Sequence, residues 1–386
     1  MSPVPPARRS PPVRGHVVVA PDKFKGSMDG AEAAARLAAG VRRAVPGAEV
    51  RELPVADGGE GTLAAALAAG FGRVVVKVAG PTGLPVVAGL AVKGGTAVVE
   101  LAQAAGLARL PGGRTAPLAA GSYGVGQLIA KAVALGATRV VLGLGGSACT
   151  DGGAGLAQAL GAELYDADGR PLPPGGAALR RLARVEPGPL AEGLRGVEVL
   201  VASDVDNPLL GPRGAAAVYG PQKGADAADL VVLEQGLTRW ADAVAELTGR
   251  EVREAPGAGA AGGVGFAALA LLGAEARPGI GVLLELLGFD RAVRGARLVL
   301  TGEGCLDAQT LHGKAPAGVA AAAARAGVPV AAVAGRLELA EREWRRAGFV
   351  RALALADLAA DPAESMARAG ELAELAGERL AAELLA

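Results

Sequence analysis

Acidic and basic side chains recur in this chain directly after short apolar, β-branched runs, where a strand-ending loop can present them to a ligand. Leu200-Val201-Ala202 runs into Ser203-Asp204-Val205-Asp206-Asn207-Pro208. Residues two apart in an extended chain share a face, so Asp204 and Asp206 are expected to point the same way and to serve a divalent cation or a hydroxyl nucleophile as its general base. Leu298-Val299-Leu300 runs into Thr301-Gly302-Glu303-Gly304-Cys305-Leu306-Asp307, and His312 and Lys314 follow before a helix containing Pro316. Glu303 and Asp307 are alternative catalytic acids, and Asp206 and Glu303 are the candidate metal ligands. His312 suits a general base or substrate ligand, and equally a structural hydrogen-bonding residue. Cys305 reads as a small loop residue, because no base stands at a catalytic spacing.

Val17-Val18-Val19-Ala20 leads into Pro21-Asp22-Lys23-Phe24-Lys25-Gly26-Ser27. Ser27 is the expected N-cap of an alanine-rich helix, and that helix start with Lys23 and Lys25 suggests a phosphate or carboxylate site. Pro54 to Thr62 places Asp57 and Glu60 among three glycines, where they can bind substrate hydroxyls or Mg²⁺. Val140 to Gly153 carries Gly143, Gly145 and Ala148 in a G-x-G-x-x-A spacing with Glu163 about twenty residues on, a dinucleotide-like pattern. A phosphate cradle of Gly145, Gly146 and Ser147 with Asp151 at its rim accounts for more of these residues. Gly259 and Gly262, in Gly257–Gly263, form a second candidate nucleotide loop, and Gly220–Gly224 adds Lys223 in a rigid turn. No G-x-x-x-x-G-K-[ST], protein-kinase or G-x-S-x-G string occurs, so phosphoryl transfer would need a cradle of another kind.

These residues require an α/β framework. From His16 onward β-branched runs alternate with alanine-rich segments of helical spacing. Strands are expected over His16–Ala20, Glu49–Pro54, Arg73–Val78, Ala97–Leu101, Arg139–Leu144, Val197–Ser203, Leu298–Thr301, Val328–Ala334 and Arg351–Leu355. Helices are expected over Ser27–Ala44, Gly61–Ala69, Gly124–Leu135, Gly153–Leu160, Asp226–Glu246, Gly263–Leu272, Lys314–Ala326, Glu338–Ala347 and Pro362–Leu385. The two ends share a strand, charged turn and helix pattern that the middle lacks. Residues 15–72 plus 289–386 are therefore expected to form one discontinuous parallel-sheet domain, 73–288 an inserted α/β domain, and 1–14 a disordered tail.

Lys plus Arg and Asp plus Glu both total 39 among 386 residues, and there are ten aromatic residues. This balance argues against nucleic acid or an anionic membrane as partner. The mean hydropathy of +0.35 comes from alanine spread along the chain, and Ala255–Ala274, the longest uncharged stretch, contains six glycines. No membrane span is expected. Two cysteines and the lack of a signal-peptide apolar region point to the cytoplasm.

Taken in order, A-P-D-K-F-K-G-S (20–27), P-V-A-D-G-G-E-G-T (54–62), G-L-G-G-S-A-C-T-D-G-G-A-G (143–155), D-V-D-N-P-L-L-G (204–211), G-P-Q-K-G (220–224), G-A-G-A-A-G-G (257–263) and T-G-E-G-C-L-D-A-Q-T-L-H-G-K (301–314) resemble the bacterial glycerate kinase family. The resemblance spans nearly the whole chain from Val17. It implies two α/β domains, one flavodoxin- or Rossmann-like and one restriction-enzyme-like. It also implies ATP-dependent phosphorylation of D-glycerate to 2-phosphoglycerate, with the 3-hydroxyl as the alternative acceptor. In that reading, with Mg²⁺ as cofactor, Asp204 or Asp206 is the base or metal anchor and Glu303 and Asp307 are alternatives. Lys23, Lys25 and Lys314 steady phosphoryl or carboxylate oxygens, Ser27 lies beside them, and Asp57 and Glu60 hold substrate hydroxyls or Mg²⁺. The protein is then a monomer or homodimer acting on a small molecule. Departures from the family pattern stand at Cys149-Thr150, Ser203 and Cys305. An NAD-dependent oxidoreductase of small hydroxy acids is the competing reading, resting on the glycine fingerprints.

Overall fold

The computed structural model describes residues 15–385, apart from the side chains of Ala191 and His312. The expected tail, 1–14, lies outside the described residues. Thirteen strands are present among them: β1 (His16–Val19), β2 (Glu49–Glu52), β3 (Gly72–Ala79), β4 (Pro85–Lys93), β5 (Thr96–Glu100), β6 (Arg139–Gly143), β7 (Glu163–Asp166), β8 (Leu182–Glu186), β9 (Glu198–Ala202), β10 (Glu275–Arg277), β11 (Ala296–Leu306), β12 (Val330–Leu337) and β13 (Phe349–Ala354). The chain divides into two compact units, one built from residues up to Pro54 with those from Gly288 onward, the other from Val55–Leu287. The first junction thus falls earlier than the expected residue 72, because the helix Thr62–Ala68 packs on β4 and β5.

The first unit holds a five-stranded parallel sheet in the order β13-β12-β11-β1-β2. Counted along this unit alone, that is the flavodoxin-like order 2-1-3-4-5, with its switch point between β1 and β11. All four residues of β1 are buried, as a central parallel strand covered on both faces requires. The helix Gly30–Ala44 turns Ala33, Ala34, Leu37, Ala38 and Val41 toward the core. Its cap is Asp29, whose carboxylate accepts the Glu32 amide at 2.8 Å, and not the expected Ser27. The Ser27 hydroxyl instead donates to the Phe24 carbonyl at 3.1 Å. This helix meets Ala369–Leu385 almost backbone to backbone: a Cβ on Gly40 would stand 2.0 Å from the Glu374 carbonyl oxygen. The final helix is two, Pro362–Ala367 and Ala369–Leu385, parted at Arg368.

The second unit holds a six-stranded mixed sheet, β10-β9-β6-β5-β4-β3, in which β10, β9, β6 and β5 are parallel and β4 and β3 antiparallel. β7 and β8 form a separate hairpin. The unexpected β4 pairs with β3 from Pro85 to Val92. The parallel strands β5, β6 and β9 are almost wholly buried, and their apolar side chains join Leu128, Ile129, Leu156, Trp240 and Phe266 in the core. The buried Trp240 indole donates to the Gly152 carbonyl at 2.9 Å, which fixes the loop after β6. No described helix is long and apolar enough to cross a membrane.

Candidate active site

In the second unit the carboxyl ends of β5, β6 and β9 lie side by side, and the loop Asp57–Gly61 covers them. The close approach depends on glycine: a Cβ on Gly58 would stand 2.3 Å from the Ala202 carbonyl oxygen, and one on Gly279 would stand 1.8 Å from that of Asp57. Gly279 opens a helix, Gly279–Leu287, and its amide donates to Asp204 Oδ1 at 2.9 Å. Crowding of the Asp204 carboxylate by protein raises its pKa to about 6. The neighbouring Asp57 charge pushes the same way, and the Gly279 amide opposes both. Asp57 also accepts the Gly59 amide at 3.2 Å, and Glu60 is exposed.

After β6, Gly145 is half-buried, Gly146 exposed and Ser147 buried. Gly146 takes a φ of +73°, a conformation open to glycine at little cost. Behind this tip Lys223 is only 2% exposed. Its ammonium donates to Ser147 Oγ at 3.0 Å and to the Cys149 carbonyl at 2.7 Å. Burial lowers the Lys223 pKa, and Cys149 and Asp151 oppose that shift. Asp151 is buried, and its carboxylate accepts the Ser122 amide (2.8 Å) and hydroxyl (3.0 Å), the Gly155 amide (3.0 Å) and the Gly153 amide (3.3 Å). Those contacts tie two helix starts together, and burial still raises its pKa. Asp151 therefore organises the loop from within, whereas it was expected at the ligand rim. Burial likewise raises the Cys149 thiol to about 12.

In the first unit the loop after β1 and the extension of β11 meet at the switch point. Asp22 N donates to the Gly302 carbonyl at 2.8 Å, and Thr301 Oγ1 donates to the Ala20 carbonyl at 2.8 Å. Lys23 is half-buried and Lys25 exposed. Glu303 lies within β11, not in the loop after it, because β11 continues to Leu306 beside β12. Its buried carboxylate accepts the Thr310 hydroxyl at 2.5 Å. Asp307 Oδ1 accepts the Gln309 amide at 2.8 Å and lies 3.5 Å from Lys314 Nζ, so this acid caps a turn and pairs with a lysine. The His312 side chain lies outside the described residues. Partial burial and the nearby Glu338 raise the Cys305 thiol pKa, which disfavours the nucleophilic thiolate.

The model of the glycerate kinase family matches residues 17–385. The chain belongs to that family. It is an enzyme, and a kinase. It is 47% identical over 324 residues to the glycerate kinase of Bacillus subtilis (strain 168), covering 83% of this chain and 85% of that protein. Over 324 residues it is 43% identical to a protein of Escherichia coli (strain K12) named glycerate 2-kinase, with 83% and 85% covered. A crystal structure of a Salmonella typhimurium LT2 protein, provisionally named glycerate kinase 2, is similar with a TM-score of 0.85 at 38% identity, covering 96% of this chain and 98% of that one.

Against the residues expected from this kinase family, the structure brings Asp57, Asp204 and the Gly145–Ser147 loop to neighbouring strand ends, and it gives Asp204 and Asp206 different partners. The chain leaves the sheet after Ala202, so both acids lie beyond the strand itself. Asp206 is mostly exposed and lies 3.6 Å from Arg213. Gly259 and Gly262 press against protein backbone: a Cβ on Gly259 would stand 2.3 Å from the Pro208 carbonyl oxygen and one on Gly262 2.1 Å from that of Cys149. Gly262 thus supports the Gly145–Cys149 loop at its end, and Gly259 packs on the segment after β9. Glu163 lies in the separate β7–β8 hairpin, so the dinucleotide fingerprint lacks its ribose acid at a neighbouring strand end. Sequence reasoning passed over Lys223 as a ligand of the loop and Gly279 as the donor to Asp204. A lysine between glycines was the available signal for the first, and the second carried none.

Proposed function

We propose that this protein transfers the γ-phosphoryl group of ATP to the 2-hydroxyl of D-glycerate, giving 2-phosphoglycerate and ADP. The observation that carries the reading is Asp204: a carboxylate at a strand end, held by the Gly279 amide, with its pKa raised to about 6. A base of that strength is ionised at neutral pH yet accepts a proton readily. The substrate hydroxyl gives its proton to Asp204 as its oxygen bonds to the γ-phosphorus. The bond from that phosphorus to the bridging oxygen breaks, and ADP leaves with the electron pair.

The backbone amides of Gly145 and Gly146 and the Ser147 hydroxyl are the proposed cradle for the nucleotide phosphates. Lys23 and Lys25 supply positive charge for an anionic group at the switch point of the first unit. Among the described residues no group of three or more His, Cys, Asp or Glu could enclose a metal ion. Mg²⁺ needs no such cage, since it commonly takes one or two carboxylates together with phosphate oxygens and water. Asp57 fits that role, because its charge already repels Asp204 and a cation would relieve the repulsion. When bound, the ion would neutralise charge on the phosphates.

A coupled ADP-release assay tests the reading. ADP release should depend on D-glycerate, and kcat/KM should rise with pH through an apparent pKa near 6 in the free enzyme. Folded protein whose ADP release ignores D-glycerate would remove the assignment.

A further inference from the structure

Lys223 has no part in the mechanism above, yet it is among the most deeply buried charged groups of the second unit. It sits in the turn Pro221–Lys223, whose Pro221 fixes the entry and whose Lys223 amide bonds to the Gly220 carbonyl at 2.9 Å. Burying an ammonium is costly unless its protons find partners, and here the partners are Ser147 Oγ and the Cys149 carbonyl, both on the loop after β6. A buried lysine whose job was packing could be replaced by an apolar side chain without that cost.

The Ser147 hydroxyl carries one proton and two lone pairs. One lone pair receives the ammonium of Lys223, and none of the described residues accepts the hydroxyl proton. The tip it belongs to, Gly145-Gly146, reaches solvent. We propose that Lys223 is a positioning residue that turns Ser147 into a dedicated donor to a nucleotide phosphate oxygen, passing its charge to the phosphate through that hydroxyl. The inference rests on the phosphate-cradle reading above. It assigns Lys223 to the phosphates and not to the nucleoside, which separates it from a merely structural lysine. Loosening the whole loop would weaken every part of the nucleotide alike, whereas losing one directed donor weakens only the phosphate end.

The test compares ADP and adenosine binding by calorimetry in wild type, Ser147→Ala, Lys223→Met and the double variant. Wild type must bind ADP and release it from ATP in the presence of D-glycerate; failure there overturns the functional reading itself. Given that, Ser147→Ala and Lys223→Met should each weaken ADP binding by about tenfold to a hundredfold, the range for losing a charge-assisted hydrogen bond. Adenosine binding should stay within about twofold. The double variant should be no weaker than the worse single one, because the two residues act in series. Equal loss of ADP and adenosine affinity, or single effects that multiply, would overturn the proposal while leaving the kinase reading intact. Ser147→Ala removes one oxygen only, so if Lys223→Met fails to fold, wild-type ADP affinity in Ser147→Ala still overturns it.

Discussion

Replacing Asp204 by Asn should make the protein slower and, at alkaline pH, more stable. The carboxylate pKa moves from the ordinary 3.8 to about 6 in the folded protein. Between those values the folded state takes up a proton that the unfolded chain does not hold. The stability linked to Asp204 is therefore fully present below about pH 4 and is lost as pH rises through 6. The difference corresponds to roughly 3 kcal/mol at 1.36 kcal/mol per tenfold change, before screening. The residue is exposed to solvent, so a discounted figure of about 1 kcal/mol is the expectation. Asn keeps an oxygen for the Gly279 amide and carries no charge at any pH. Asp204→Asn should thus raise Tm by about 2–4 °C at pH 8 and leave it unchanged near pH 4. In the same variant kcat should fall by about 10²- to 10⁴-fold, the usual worth of a general base. Calorimetry at the two pH values and steady-state kinetics read both effects. Destabilisation of equal size at both pH values, or a kcat within about tenfold of wild type, would refute the reasoning.

Three further substitutions probe the framework. Gly279→Ala would press a methyl group into the Asp57 carbonyl, 1.8 Å from the new Cβ, and displace the amide that holds Asp204; kinetics should show kcat/KM reduced by about tenfold or more, and urea unfolding a cost of about 1–3 kcal/mol. Asp151→Ala leaves the buried donors of Ser122, Gly153 and Gly155 without their acceptor and should cost about 3–5 kcal/mol in urea unfolding, with Asp151→Asn losing less. Gly40→Val forces apart the helices Gly30–Ala44 and Ala369–Leu385 and should lower Tm; the same change at Gly47, where nothing stands within 4 Å, meets backbone strain but no clash, so it should cost less.

The α/β class was legible because the β-branched runs at Val17–Val19 and Val140–Leu142 are buried on both faces, which leaves an uninterrupted apolar signal. β4 was not, because Gly89 interrupts its apolar run. The reason for that glycine is tertiary: a Cβ there would stand 3.1 Å from Leu63 Cδ2. The helix Gly279–Leu287 hid for a similar reason. It opens with two glycines straight after Pro278, which has no side-chain acceptor, and Gly279 is required by the Asp57 loop, not by helix propensity. Of the site, the strand-end placement of Asp57, Asp204 and Ser147 followed from local pattern. The different partners of Asp204 and Asp206, and the place of Glu303 within a strand, did not. The first depends on what surrounds the segment after β9, Gly279 for one acid and Arg213 for the other, and the second on how far β12 accompanies β11. Ser27 was the expected cap, but the tight turn Phe24–Met28 holds its hydroxyl on the Phe24 carbonyl, and the helix start falls to Asp29.

The most direct test of the central claim is phosphorus NMR of the product formed by this protein from ATP, Mg²⁺ and D-glycerate. The account predicts one new monoester resonance, coupled to the C2 proton of 2-phosphoglycerate and growing in step with ADP. A resonance coupled instead to the C3 protons, or ADP formed without any phosphorylated glycerate, would contradict it.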